Sequence, residues 1–205
     1  MRARIMWVLV VGGCQEFALV TDKRDVEPVA TELAGPDFGF GDPPDWDSCR
    51  AGWIGDYTNL QPTHPDIVDD AIAPVDPRSL DWWARSDFQD FDASLDFGPQ
   101  WWPIDDGLTG DPEHFAVRWR SWMRVWSATE LELVFGAVGD AWMLIDEAPS
   151  VQVTGEVFEP EVVRVSLQPG QVPVDVRYGH RGGDSGFRWR VVSGDVSFCY
   201  PDFGG

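Results

Sequence analysis

The sequence lacks the features that mark most catalytic and nucleic-acid-binding proteins. Its three cysteines and three histidines form no set with metal-ligand spacing, and it has no glycine-rich phosphate-binding loop. We find no internal repeat and no basic patch, because 15 lysines and arginines stand against 35 aspartates and glutamates. The formal net charge of −20 disfavours nucleic acid and anionic lipid head groups as partners. What remains is an acidic chain of 205 residues, a length that suits one domain and a leader.

The N-terminus has the order of a secretory signal peptide. Two arginines within residues 1–4 precede an apolar run over residues 5–11, and two glycines follow before Cys14. The apolar run of about seven residues is well short of the roughly 20 that cross a bilayer. We therefore expect residues 1–13 to be a signal peptide and not a membrane span.

The residues around the expected cleavage point resemble a known signal. Val11, Gly12 and Gly13 directly before Cys14 resemble the lipobox of bacterial lipoproteins. The resemblance implies that Cys14 becomes the new N-terminus and carries several acyl chains, which anchor a protein firmly. Gln15 in place of aspartate favours the outer membrane or the cell surface over the inner membrane. The alternative is an ordinary first strand with a chance cysteine.

Residues 14–47 are acidic and are interrupted by proline and glycine, with no sustained helical or alternating period. This composition predicts a flexible linker between the membrane and the domain of residues 48–205. Phe38, Phe40 and Trp46 are aromatic residues of the linker that we expect to dock on the domain.

Two cysteines remain near the two ends of the expected domain. Cys49 and Cys199 are an even pair in an exported chain, which predicts a disulfide. A loop of this length gives a nominal entropic stabilisation of about 4–5 kcal/mol. The alternative is two free buried thiols.

Apolar and polar residues alternate with a period close to two through most of the domain. The alternating segments are residues 115–120, 130–135, 163–167, 172–178, 187–191 and 196–200. Alternation of this kind is typical of antiparallel sheets with one buried face, and many short segments of it predict an all-β sandwich or barrel. Residues 60–86, rich in proline and aspartate, are expected to form a long irregular insertion.

The order of several motifs resembles the protective-antigen-type domain, a β-sandwich found in bacterial toxins, glycosidases and yeast adhesins. The residues that carry the resemblance are 51–57, 91–97 with 101–103, 115–122, 130–135, 142–146, 165–170, 174–178 and 187–189. The resemblance spans about 140 residues and implies an antiparallel β-sandwich. It also implies carbohydrate recognition.

In sugar-binding members of that family, two consecutive aspartates on one loop hold a calcium ion that contacts the sugar. The matching positions here are Val138 and Gly139, and Asp140 follows one place later. If calcium binds, the resemblance makes Asp140 and Asp146 the metal ligands, with Asp184 as a further candidate, because calcium takes hard oxygen ligands. The alternative is that these carboxylates serve turns and caps.

Two tryptophan doublets are candidates for stacking on a sugar ring, Trp82–Trp83 and Trp101–Trp102. Adjacent residues on a strand point to opposite faces, so one member of each pair is expected at the surface or beneath a loop. The alternative is that irregular segments fold back and bury them. The ligand-binding candidates are Asp140, Trp142, Asp184, Trp101 and Trp102.

Catalytic readings have weaker support. Residues 183–186 resemble the nucleophile turn of trypsin-like proteases, but neither His64 nor His114 lies in the motif that such a base requires. Acidic pairs such as Asp90 and Asp92 are expected by chance in so acidic a chain.

The sequence therefore predicts a cell-envelope lipoprotein with a non-catalytic binding module, and a glycan is the expected ligand. The alternative is a structural or protein-interaction lipoprotein without a sugar site, whose partner is an envelope protein.

Overall fold

The computed structural model describes residues 7–8, 40, 42–68, 73–102 and 113–200. Cys14 and most of the expected signal peptide and linker lie outside the described residues, so lipidation at Cys14 stays a prediction. Residues 7–8, within the expected signal peptide, pair as a short strand with Val151 and Gln152. No helix in the described part of the chain is long and apolar enough to cross a membrane.

The described residues are almost entirely β-structure, which confirms the predicted fold class. Besides a four-residue helix α1 (Pro65–Val68) and a 3₁₀ turn (Pro77–Ser79), they form eleven strands. The strands are β1 (Trp7–Val8), β2 (Trp53–Asn59), β3 (Phe88–Asp92), β4 (Leu95–Pro99), β5 (His114–Val125), β6 (Thr129–Ile145), β7 (Ala148–Gly155), β8 (Glu161–Leu167), β9 (Gly170–Arg181), β10 (Gly186–Ser193) and β11 (Val196–Cys199).

The strands form two antiparallel sheets that share the long strand β6. The large sheet has the order β1-β7-β6-β9-β5-β2-β3, and β11 lies beside the second half of β5. The small sheet has the order β8-β6-β10-β4. The first part of β6 pairs in the small sheet, and residues from Gly139 onward pair in the large sheet. Strand β6 therefore turns the corner between the two layers.

Glycine is required at this corner. Gly139 has a φ of 101°, and a Cβ there would lie 2.5 Å from the carbonyl oxygen of Gly179 on β9. Only glycine accepts this backbone conformation together with so close an approach of two strands. Gly139, which stands where the calcium-binding members of the family have their second aspartate, therefore lies where β6 passes from the small sheet to the large sheet.

The core lies between the inner faces of the two sheets and follows the predicted alternation. On β5 the inward residues Phe115, Val117 and Trp119 are fully buried, as are Val176 and Tyr178 on β9. The small sheet contributes a second set of buried residues, Leu131, Leu133, Phe135, Val163, Val165 and Phe187. Burial of large apolar and aromatic side chains on both inner faces is the main source of stability in such a sandwich.

Cys49 and Cys199 form a disulfide, as predicted, with their Cα atoms 5.7 Å apart. Arg50 and Tyr200 pair beside it in an isolated antiparallel bridge. The first and last described segments of the domain are therefore tied together next to β11. Phe40 contacts Trp122 edge-on and Trp46 lies near the Arg124 guanidinium, so these two aromatic residues of the predicted linker dock as expected.

The irregular insertion of residues 60–86 covers the outer face of the large sheet, where its described parts enclose a second small core. Trp82 and Trp83 pack edge-on against Trp142 of β6, with ring centroids 6.1 and 5.8 Å away. Leu60 and Ala116 belong to the same cluster. Of the two readings of this doublet, burial by a folded-back segment is therefore the one observed.

Candidate functional site

The upper end of the sandwich is the end at which β4 and β9 finish and β5 and β10 begin. Two segments meet there, Gln100–Trp102 and the loop 182–185 that crosses from β9 to β10, and we call them together the upper surface. The backbone N–H of Gln100 donates to the carbonyl oxygen of Ser185 over 2.6 Å. This contact brings the second tryptophan doublet beside the loop that carries Asp184, although about 80 residues separate them in sequence.

The two tryptophans of this doublet have different environments. Trp101 is half-buried and stacks on Phe97, with ring centroids 4.0 Å apart and an interplanar angle of 7°. It also contacts Trp119 and Tyr178, so it closes the upper end of the core. Trp102 is 40% exposed. Trp102 is therefore the member of the doublet that is accessible to a ligand, and Trp101 is the member that belongs to the core.

The loop 182–185 is open and built on glycine. Gly182 and Gly183 have φ values of 115° and 81°, a backbone conformation that side chains disfavour. No atom lies within 4 Å of the point where a Cβ of Gly183 would sit. Asp184 is exposed at the tip, and Ser185 is buried beneath it. The loop therefore presents backbone groups and one carboxylate to the solvent.

Asp140 does not face this solvent-exposed surface. Its side chain is buried, at 4% exposure, and its Oδ2 lies 2.8 Å from Nη2 of Arg181. The Arg181 guanidinium also donates to the carbonyl oxygen of Asp66 in the insertion. Asp140 is thus the anionic half of a buried ion pair that joins β6 to β9, and removing either partner would leave an uncompensated charge.

Asp140 and Asp146, the two predicted metal ligands, do not lie together in the structure. Six residues of extended chain separate them, a span of about 20 Å. Asp146 is exposed in the turn after β6, where its backbone N–H donates to Pro173 over 2.9 Å. The strand β6 is continuous where the family has a loop, so Asp140 lies within the strand and Asp146 lies just after its end.

Trp142 is also removed from the ligand-binding candidates. It is fully buried beneath Trp82 and Trp83, and its indole N–H donates to the carbonyl oxygen of Pro74 over 2.9 Å. Both its ring and its donor are therefore used inside the protein. Of the predicted ligand-binding residues, Trp101, Trp102 and Asp184 lie on the two segments that the hydrogen bond from Gln100 to Ser185 joins.

Tyr178 fixes the floor of the upper surface. Its hydroxyl donates to the carbonyl oxygen of Val138 over 2.7 Å and lies 3.4 Å from the backbone nitrogen of Gly186. Burial raises the pKa of Tyr178 far above its ordinary value, and the Asp140 carboxylate raises it further. The phenol therefore stays protonated and keeps the β6 corner joined to the start of β10.

A different group of side chains has metal-ligating geometry. His64, Asp66 and Asp81 of the insertion each place one ligand atom within 4.8 Å of the others. Sequence reasoning missed this group because Asp81 is 17 residues from His64. The sequence feature that could have identified the group is the close spacing of His64 and Asp66. These residues are two positions apart and place an imidazole and a carboxylate near each other in the first part of the insertion.

No protein-family model and no curated protein matches the sequence. Among solved structures, the chain is similar to the A domain of epithelial adhesin 9 from Candida glabrata, crystallised in complex with Galβ1-3GlcNAc. The two are 11% identical with a TM-score of 0.53, and the match covers 80% of this chain and 95% of that one. The chain has the protective-antigen-type β-sandwich fold.

Two further solved structures resemble this protective-antigen-type domain. The PA14 domain of the antifreeze protein MpAFP is 19% identical with a TM-score of 0.47, and the match covers 78% of this chain and 92% of that one. An anti-sigma factor domain-containing protein from Clostridium clariflavum is 15% identical with a TM-score of 0.48 over 74% of this chain. This chain spans 45% of the length of that protein.

Proposed function

We propose that the protein is a non-catalytic binding module of the cell envelope that takes a glycan at its upper surface. The observation that carries the proposal is the exposed indole of Trp102 beside the open glycine loop 182–185. The similar adhesin domain was crystallised with a galactose-containing disaccharide, which supports a glycan as the ligand class.

The chemistry of the upper surface suits a sugar. The apolar C–H face of a pyranose stacks on an aromatic ring such as that of Trp102, whose chain neighbour Trp101 is packed into the core. Asp184 supplies acceptors for sugar hydroxyls, and the backbone at Gly183 is accessible because no atom lies within 4 Å of the point where its Cβ would sit. A few convergent polar groups beside an aromatic face are the usual composition of such a site.

Charge narrows the ligand class further. The chain carries a net charge of −20, and Asp184 adds a negative group within the site itself. Electrostatic repulsion therefore favours neutral or amino sugars over sialylated and sulfated ones.

The site works without calcium in this proposal. Asp140 is paired with Arg181 and buried, and Asp146 is about 20 Å away along the strand. Neither can therefore combine with Asp184 to surround an ion in the way that six to eight oxygen ligands require.

Anchoring is the second part of the proposal. A lipid on Cys14 would hold the module at the membrane through the acidic segment of residues 14–47, with the outer membrane or cell surface as the expected location. Metabolic labelling with an alkyne fatty acid tests this part. Label on the wild-type chain that is lost in Cys14→Ala is expected, and equal labelling of both would contradict it.

A glycan-array screen of the purified protein, with calcium and with chelator, tests the binding function. We expect selective binding to neutral glycans that is the same in both conditions. Binding that disappears with chelator would contradict the calcium-independent site. Absence of binding to every glycan would favour the alternative, a structural or protein-interaction lipoprotein. The observation that favours this alternative is that Val138 and Gly139 replace the family's aspartate pair and that the next residue, Asp140, pairs with Arg181.

A further inference from the structure

The insertion on the outer face of the large sheet has two described arms that meet at three polar side chains. The first arm, residues 60–68, carries His64 and Asp66, and the second, residues 73–86, carries Asp81. Nε2 of His64 lies 2.9 Å from Oδ1 of Asp81, and Nδ1 of His64 lies 3.7 Å from Oδ2 of Asp66. We propose that His64, Asp66 and Asp81 bind a divalent metal ion such as zinc, and that the ion links the two arms of the insertion.

The geometry is close to that of a coordination shell. Zinc takes nitrogen and carboxylate oxygen at about 2.0–2.2 Å, so two ligand atoms on one ion are at most about 4.4 Å apart. The three ligand atoms here lie within 4.8 Å of one another. In the tetrahedral arrangement that zinc prefers, two such atoms are about 3.4 Å apart, so side-chain movements of about an ångström bring all three onto one ion, and water fills the remaining position.

The donor set selects the class of metal. One imidazole with two carboxylates suits zinc, manganese, cobalt or nickel, because imidazole is a ligand for these ions. Calcium takes six to eight oxygen ligands and gains little from an imidazole. The site is thus distinct in place and in chemistry from the calcium site that the sequence resemblance suggested.

Both ring nitrogens of His64 have hydrogen-bond partners, Oδ1 of Asp81 at Nε2 and the backbone N–H of Asp66 at Nδ1, so an ion bound at one nitrogen replaces the contact there. Two carboxylates face one imidazole, and the net charge of the chain raises the local concentration of cations. The His64 and Asp66 side chains are 19% and 28% exposed, whereas that of Asp81 is 75% exposed. An ion can therefore enter past Asp81 and reach two ligands that are already sheltered.

Neighbouring groups hold the ligands in position. The indole N–H of Trp82 donates to Oδ2 of Asp66 over 2.8 Å, which orients that carboxylate as outer-shell partners do in metal sites. Pro65 restricts the backbone of His64 to extended conformations. Because Trp82 is also the centre of the small core beneath the insertion, an ion at this place would stabilise the packing of the insertion on the sheet.

Isothermal titration of the purified full-length protein, freed of metal by chelator and dialysis, tests the proposal with ZnCl₂ and separately with CaCl₂. We expect one zinc ion per chain, a zinc-dependent rise in Tm, and no saturable calcium binding. Asp81→Asn and His64→Gln should weaken zinc binding at least about tenfold. Asp76→Asn is the matched control, since Asp76 lies in the same insertion but pairs with Arg78, and it should bind zinc as the wild type does.

Asp81→Asn keeps an acceptor for the imidazole N–H, so its near-UV tryptophan spectrum in chelator should equal that of the wild type. This separates loss of metal binding from loss of folding. No saturable zinc binding by the wild type, equal zinc affinity in Asp81→Asn and the control, or equal binding of calcium would each overturn the proposal. Glycan binding is measured separately in chelator and depends on none of these results.

Discussion

The two tryptophan doublets have the same sequence and opposite environments. Trp82–Trp83 lies in an irregular segment, yet both of its rings are buried against Trp142, whereas Trp101–Trp102 ends a strand and leaves one ring exposed. The difference comes from what each doublet packs on. The first doublet packs on the outer face of the large sheet, where Gly179 leaves space for the Trp82 ring. The second doublet lies at the upper end of the main core, where the Trp101 ring alone covers the core residues.

The comparison shows why a doublet by itself does not identify a ligand site. The first doublet stabilises an insertion, and its N–H and ring faces are used by Asp66, Arg177 and Arg181. In the second doublet, Trp101 is half-buried and closes the core, and Trp102 is exposed. Stability should therefore depend mainly on the first doublet, and ligand binding on the second.

The largest expected effect is on the first doublet. Trp82→Ala should lower the free energy of unfolding by about 3–5 kcal/mol, because a large buried ring and its hydrogen bond to Asp66 are lost. Urea unfolding followed by far-UV circular dichroism measures this change. A loss below about 1 kcal/mol would show that the insertion does not contribute its packing to the stability of the domain.

A second change tests the place where Trp82 rests. A Cβ on Gly179 would lie 2.1 Å from Cζ3 of Trp82, so Gly179→Ala should cost about 1–3 kcal/mol by overpacking. In the background of Trp82→Ala the same change should cost far less, because the clashing ring is gone. Additive effects in this double-mutant cycle would contradict direct contact between the two residues.

A third prediction concerns the region beneath the second doublet. Trp101 packs on Trp119, whose indole N–H donates to Oδ2 of Asp92 over 2.9 Å, and Tyr57 donates to the same oxygen. Burial raises the pKa of Asp92 above its ordinary value. The folded state therefore binds this proton more tightly than the unfolded state, whose pKa is about 3.9.

The upward shift of the Asp92 pKa predicts how the stability difference between wild type and Asp92→Asn changes with pH. As the pH rises from the unfolded pKa through the folded pKa, the wild type should lose stability relative to the variant, which cannot ionise there. Denaturant unfolding of both proteins between about pH 3.5 and pH 7 measures the difference. A constant difference, or one of opposite slope, would show that burial does not dominate the environment of Asp92.

The smallest effect on stability is expected at the exposed ring. Trp102→Ala should lower the free energy of unfolding by no more than about 1 kcal/mol, because its side chain is 40% exposed whereas that of Trp82 is 2% exposed. The same urea titration tests it. A loss comparable to that of Trp82→Ala would mean that Trp102 is a core residue, and the contrast between the doublets would disappear.

The strands and the disulfide could be predicted from the sequence because their signals are local or compositional. Alternation of apolar residues predicted strands such as β5 and β9, and an even pair of cysteines, in a chain expected to be exported, predicted the bridge from Cys49 to Cys199. Both signals depend on a simple physical constraint, a buried sheet face in one case and an oxidising environment in the other.

The site was harder to predict because it depends on contacts between distant segments. Nothing near Asp140 in sequence shows that Arg181 will neutralise it, since 41 residues separate them. Strand β6 continues through Gly139 at the corner between the two sheets, so the calcium-binding loop that the resemblance implied is not formed there. Burial of Trp142 likewise depends on the insertion that covers it. The sequence of the insertion has no hydrophobic periodicity from which its position on the sheet could be predicted.

The central claim, a glycan site at Trp102, is tested most directly by titrating the strongest array ligand into three proteins in the presence of chelator. The proteins are the wild type, Trp102→Ala and Trp126→Ala. Trp126 is the matched control, because it is 56% exposed and lies at the opposite end of the sandwich, after β5. We predict that Trp102→Ala abolishes measurable binding and that Trp126→Ala binds as the wild type does; undiminished binding by Trp102→Ala would contradict the account.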